Sequence, residues 1–139
     1  MAKNTQLTNI AVNAEGDALV TLADHGWIDV LGGTQPATGD TAITTQTVLV
    51  SLRLSTPAAG STSAGVITFS AVTSGTAVAT GTATWFRVYK SDHTTALFDG
   101  TVDTSGANLN FSSTTSIVSG QTISVSAFTH TLAKATSGS

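Results

Sequence analysis

The 139-residue sequence predicts a mainly β domain, a β-sandwich or jelly-roll-like fold of about seven strands preceded by one N-terminal amphipathic helix. Three observations carry that expectation. Short runs of alternating apolar and polar residues recur along the chain, each bounded by clusters of Gly, Pro, Asn or Asp. Charged residues make up only 9% of the chain while Ser and Thr supply roughly three residues in ten, the balance of a sheet with a hydroxylated outer face. Spacings of three and four between apolar residues are confined to one early segment.

In that segment Leu7, Ile10, Ala11, Ala14, Ala18, Leu19 and Leu22 predict a helix over 8–23. Gly16 weakens it, and Gly26 can take the left-handed conformation that closes a helix. Residues 1–26 therefore read as an arm and helix, placed either against the sheet or on a neighbouring subunit. A strand follows at 27–31, then a loop over 32–45, GGTQPATGDTAITT, which lacks any apolar period. Alternation returns at 47–54, where Val48, Val50, Leu52 and Leu54 share one face. Residues 56–60 break it, 66–70 form a shorter strand, and 71–80 read as a loose strand or loop.

The centre of the domain is a hairpin over 81–102. Thr84, Phe86 and Val88 project to one side, and Ala83, Trp85, Arg87 and Tyr89 to the other, so both faces are substantially apolar. The tip is Ser91-Asp92-His93-Thr94, after which Ala96, Phe98 and Val102 resume one face. Short strands are expected at 107–111 and near Ile117. In the last run, 122–132, Ile123, Val125 and Ala127 oppose Phe128, which predicts a bulge or burial on two sides. The sandwich domain spans 27–133, and 134–139 reads as a flexible tail.

A net charge of −3, with Lys3, Arg53, Arg87, Lys90 and Lys134 as the only basic residues, offers no cluster that tracks phosphates, so nucleic acid is not an expected partner. Without cysteine, neither disulfides nor thiolate metal sites contribute. The first residues, MAKNTQLTN, lack the basic-then-apolar build of a signal peptide, and no window approaches the length of a membrane span. The expectation is a protein made in a cytosol, with no membrane partner.

Candidate chemistry is thin. Asp24-His25 with Asp29, and Asp92-His93 with Asp99, offer His and carboxylate ligands, but a helix end and a hairpin tip account for them equally well. Asp99 and Asp103 belong to no calcium-loop pattern. The nucleophile-elbow pattern is missing, and Gly32-Gly33 leads into neither Lys-Ser nor a helix. Carboxylates able to pair, Asp40, Asp99 and Asp103, sit in turn-like settings. No enzyme activity and no cofactor is expected. His130 reads as a partly exposed strand residue. Trp85, Arg87 and Tyr89, of types enriched at contact hot spots, form a candidate interaction surface or sugar-stacking platform. The bland alternative is a second buried sheet face, with Arg87 reaching out along its aliphatic stem. Leu7 and Ile10 are candidate contacts on the N-terminal segment.

The stretches GTQPATGDTAI (33–43), GTATWFRVYKSDHTTALFDGTV (81–102), TSGANLNF (104–111) and SGQTISVSAFTHTLA (119–133) resemble a family of small β-rich proteins encoded among the virion structural genes of tailed bacteriophages. The likeness runs in order over most of the chain from Gly26 onward. It departs at the hairpin tip, where Asp92-His93 stands in place of Asp-Gly, and in the more individual N-terminal segment. The resemblance implies a virion component, foremost a decoration or cement protein on the head. Its partners would be the major capsid protein and neighbouring copies of itself, with the helix-bearing N-terminus as anchor. A neck, collar or tail accessory subunit is the first alternative. A carbohydrate-binding module using Trp85 and Tyr89 is the second.

Overall fold

The computed structural model describes residues 4–137. Helix α1 (Asn9–Ala23) starts at Thr8, whose extended backbone and side-chain oxygen, accepting from the Ala11 amide at 3.2 Å, satisfy one of the helix's orphan donors. The face it buries is Val12, Gly16, Val20 and Ala23. This corrects the expected stripe: Ile10 is 84% exposed and Leu22 47%, and Ala11, Ala14 and Ala18 also face solvent.

The reason lies in the loop that α1 covers. The Thr62 amide donates to Asp17 Oδ1 at 2.8 Å and the Gly65 amide to Asn13 Oδ1 at 3.0 Å, so two polar helix residues must turn towards this loop, at the flank of the buried face. Gly16 lies between them, and a Cβ there would collide with the Thr62 side chain. Hydrogen bonds to backbone donors, and one missing methyl group, fix the rotation of the helix against hydropathy alone.

The strands are β1 (Asn4–Gln6), β2 (Trp27–Leu31), β3 (Val48–Arg53), β4 (Val66–Thr68), β5 (Gly75–Thr76), β6 (Gly81–Thr82), β7 (Trp85–Tyr89), β8 (Ala96–Asp103), β9 (Leu109–Phe111), β10 (Ser116–Ile117), β11 (Thr122–Ile123), β12 (Val125–Thr131) and β13 (Ala135–Ser137). Seven of them form one sheet in the order β3-β2-β7-β8-β9-β12-β4, antiparallel except for the parallel pair β8 and β9. The result is the mainly β, sandwich-like fold expected. The bulge expected in the last long strand appears as a register shift between Val125 and Ala127.

The two margins of this sheet are joined by one stretch of chain. Residues 66–78 begin as β4, paired with β12, and continue through β5, paired with β11, while Thr73 N donates to Arg53 O (3.0 Å) and Val78 N to Leu49 O (2.8 Å). The stretch read as loose strand or loop therefore covers the β3 margin. At the chain ends, β1 pairs antiparallel with β13. Residues 135–137, expected within a tail, take part in this ladder, and 138–139 lie outside the described residues.

The interior is filled by Ile28, Val30, Val50, Leu52, Phe86 and Val88 from adjacent strands, all fully buried, together with Phe69 and Phe128. Phe69 and Phe128 stack at 4.2 Å between centroids, and Phe86 meets Phe128 edge-on at 5.3 Å. Gly100 lies directly beneath the Phe86 ring, where a Cβ would have no room.

Candidate functional site

Strand alternation sends Ser51, Asp29, Arg87 and Asp99 to the outer face of β3, β2, β7 and β8, and the strand registers set them directly opposite one another in a single row. Arg87 binds Asp99 through two parallel bonds, Nε to Oδ1 at 2.7 Å and Nη2 to Oδ2 at 2.9 Å, and donates from Nη1 to the Thr41 carbonyl at 2.7 Å. Hydrogen bonding to Asp99 raises the guanidinium pKa above its ordinary value, against the opposing effect of burial. Ser51 Oγ donates to Asp29 Oδ1 at 2.7 Å, and His93 Nε2 lies 2.7 Å from the same oxygen.

This row is covered. The loop over 32–46 crosses it, tied down by Thr41, by Trp85 Nε1 donating to Gly32 O at 3.2 Å, and by Thr84 Oγ1 donating to Gly33 O at 2.7 Å. Trp85 is 1% exposed and Arg87 3%. The two therefore form no contact surface, and Arg87 does not reach out to solvent along its stem. Two apolar faces on one strand, with a guanidinium among them, require a cover on both sides. Tyr89 is half-buried; burial first, and then the nearby Asp29 carboxylate, raise its phenol pKa.

The hairpin tip folds over the other end of the row. His93 stacks on Trp27 with centroids 4.5 Å apart and planes 8° apart, Arg53 covers the same indole at 4.2 Å, and Tyr89 meets His93 edge-on at 5.5 Å. His93 has φ +59°, the left-handed conformation usually left to glycine. Asp92 holds the turn: its carboxylate accepts from the Thr94 and Thr95 amides, both at 2.9 Å, and from Thr95 Oγ1 at 2.6 Å. These bonds hold its pKa well below the usual carboxylate range.

The polar groups of the row are bonded to one another. Ser51 and His93 bond to one carboxylate oxygen, so the serine proton is directed to Asp29 and no hydroxyl-to-imidazole relay is set up. The candidate set Asp92-His93 with Asp99 is parted, because His93 turns to Asp29, Asp92 caps its own turn and Arg87 occupies both oxygens of Asp99. Among the described residues no three His, Cys, Asp or Glu side chains are grouped to hold a metal. Asp103 accepts from the Thr104 amide at 2.7 Å. His130 is half-buried and stacked on Phe98 at 4.5 Å, and burial lowers its pKa.

The accessible features lie elsewhere. On α1, Ile10 and Leu22 mark an outward apolar face, with Ala14 and Ala18 between them, while Leu7 is half-buried. Val78, 71% exposed, and Val118, 57%, form a second apolar spot, brought together where Gly120 N donates to Ala77 O and Ala77 N to Gln121 O, both at 2.8 Å. Sequence reasoning singled out Ile10, and it grouped Asp29 with Asp24 and His25 where the structure joins it to Ser51 and His93. The available signal was one carboxylate between Ile28 and Val30, in a strand otherwise buried on both sides. No protein-family model, curated protein or solved structure matches the chain.

Proposed function

We propose that the protein is a structural component of a tailed-bacteriophage particle, a decoration or cement protein of the head that seats on major capsid subunits through the outer face of α1. The observation that carries this reading is the rotation of the helix, which puts its own apolar stripe in water with Ile10 84% exposed and Leu22 47%. An apolar helix face left in water, in addition to the one that is buried, is what a contact surface requires. The sparse charge of the chain supports the reading, since few ions lose water when such surfaces meet. So does the resemblance in the hairpin and the C-terminal strand. Repetition over a shell makes modest single contacts sufficient. A sugar-stacking role loses its support because Trp85 is buried and the Trp27 ring is already covered by His93 and Arg53.

The test is reconstitution. Heads lacking the protein are incubated with the wild type or with an Ile10→Asp/Leu22→Asp variant, and bound protein is measured by sedimentation and mass spectrometry. Wild type is expected to bind at hundreds of copies per particle, and the variant to remain in the supernatant with unchanged thermal stability. Binding of both to the same extent would overturn the helix as anchor. Six or twelve copies on the tail axis would move the protein to the neck or tail.

A further inference from the structure

The C-terminal end of α1 borders a pocket of about 310 Å³ lined by Val20, Thr21, Asp24, Thr56 and Pro57. Its walls are mainly apolar, and Asp24 is its only ionisable group. Two features of that carboxylate are uncompensated among the described residues. Asp24 is the C-cap of α1, with its amide donating to Thr21 O at 3.3 Å, so a negative charge stands at the negative end of the helix dipole. One of its oxygens, Oδ1, is buried and has no hydrogen-bond donor. No ion pair among the described residues includes Asp24, and Lys134 bonds to Asn9 at the opposite end of the helix.

We propose that this pocket is a socket for a lysine side chain of the protein on which α1 docks. An ammonium group at the remaining oxygen, Oδ2, answers the charge at the dipole end, because the carboxylate charge is shared over its two oxygens and the dipole end favours a cation; with Oδ1 closed off, Oδ2 is the oxygen left to take it. The four-carbon stem of lysine lies along Val20 and Pro57 as such stems do on apolar surface. Lysine is chosen over arginine by the geometry. A guanidinium gains most when it meets both carboxylate oxygens, and Oδ1 is closed off, whereas an ammonium acts as a point charge on one. The source is a protein rather than a free amine because the pocket adjoins the exposed apolar face: Thr21 lines it, and Leu22 is the next residue. The inference rests on the docking reading for the origin of the lysine, though not for the chemistry of the pocket.

The experiment is an amide NMR titration of the full chain with Nα-acetyl-lysine methylamide, alongside the norleucine and arginine analogues. The lysine probe is expected to shift the amides of Thr21, Asp24 and Thr56 saturably, with the norleucine probe about tenfold or more weaker. Asp24→Asn, whose spectrum reports that it remains folded, is expected to lose the response by a similar factor. Equal response to norleucine, an undiminished response in Asp24→Asn, or shifts confined to other sites would overturn the socket. Head binding by the same variant then separates the two readings. A loss of about tenfold in affinity assigns the lysine to the docking partner. Wild-type affinity alongside a working socket overturns that assignment while leaving the helix anchor intact. If self-association in solution is what Asp24→Asn abolishes, the lysine comes from a second copy and the assignment to the docking partner falls.

Discussion

Arg87 is the side chain on which the outer face of the sheet depends. It is 3% exposed, pairs with both oxygens of Asp99 and holds the covering loop through the Thr41 carbonyl. Removing one member of such a pair leaves the other buried and uncompensated, which costs more than the intact pair contributes. Arg87→Ala is expected to lower stability in urea unfolding by about 3–5 kcal/mol, and Arg87→Met with Asp99→Leu to recover much of that loss. His93 sets two effects against each other in one residue. Its φ of +59° costs an L-residue about 1–2 kcal/mol, while the ring gains the bond to Asp29 and the stack on Trp27. Truncation to alanine keeps the strain and loses the ring contacts, whereas glycine loses both. His93→Gly should therefore be more stable than His93→Ala by about 1 kcal/mol in the same measurement, and the reverse order would show that the backbone strain is absent.

Among the elements, α1 and β2 show where local pattern suffices and where it fails. Strand 27–31 was legible residue by residue, and the helix to within one residue of its start, because period and capping are encoded by near neighbours. The rotation of the helix was not legible, since it depends on Thr62 and Gly65, far along the chain, whose amides recruit Asp17 and Asn13. Burial of Trp85 and Arg87 was hidden for a related reason: the alternation of β7 showed two apolar faces, but nothing in it showed that 32–46 would cross one of them. Gly16 was read as a weakness and is a requirement. In an open helix, Gly→Ala stabilises by about 1 kcal/mol, yet here the added methyl meets the Thr62 side chain. Gly16→Ala is expected to destabilise by about 1–3 kcal/mol, with part of the loss recovered in a Thr62→Gly background. A stabilised Gly16→Ala protein, measured by thermal unfolding, would mean that α1 does not approach the loop this closely.

For the molecule as a whole, the resolved titration shifts of its weakly acidic carboxyl and imidazole groups act in one direction. His130 has its pKa lowered by burial, so the unfolded chain takes up a proton there first and stability falls as pH drops below about 6.5. Asp17, lowered by hydrogen bonds from Thr62, and Asp92, lowered by those from Thr95 and Thr94, contribute stability that is present above about pH 4 and lost on further acidification. Melting temperature is expected to decline in two stages towards acid, and His130→Gln to flatten the first stage alone. A variant that keeps both stages would place the first on another group. The architecture also bears on how copies behave when crowded. With residues 73–78 lying along the β3 margin and continuous with β4 at the other end, the main sheet offers a neighbour no open ladder at β3 to extend. A copy pressed against that margin then meets side chains in place of free backbone groups, which removes one route to the self-propagating growth that leads to fibrils.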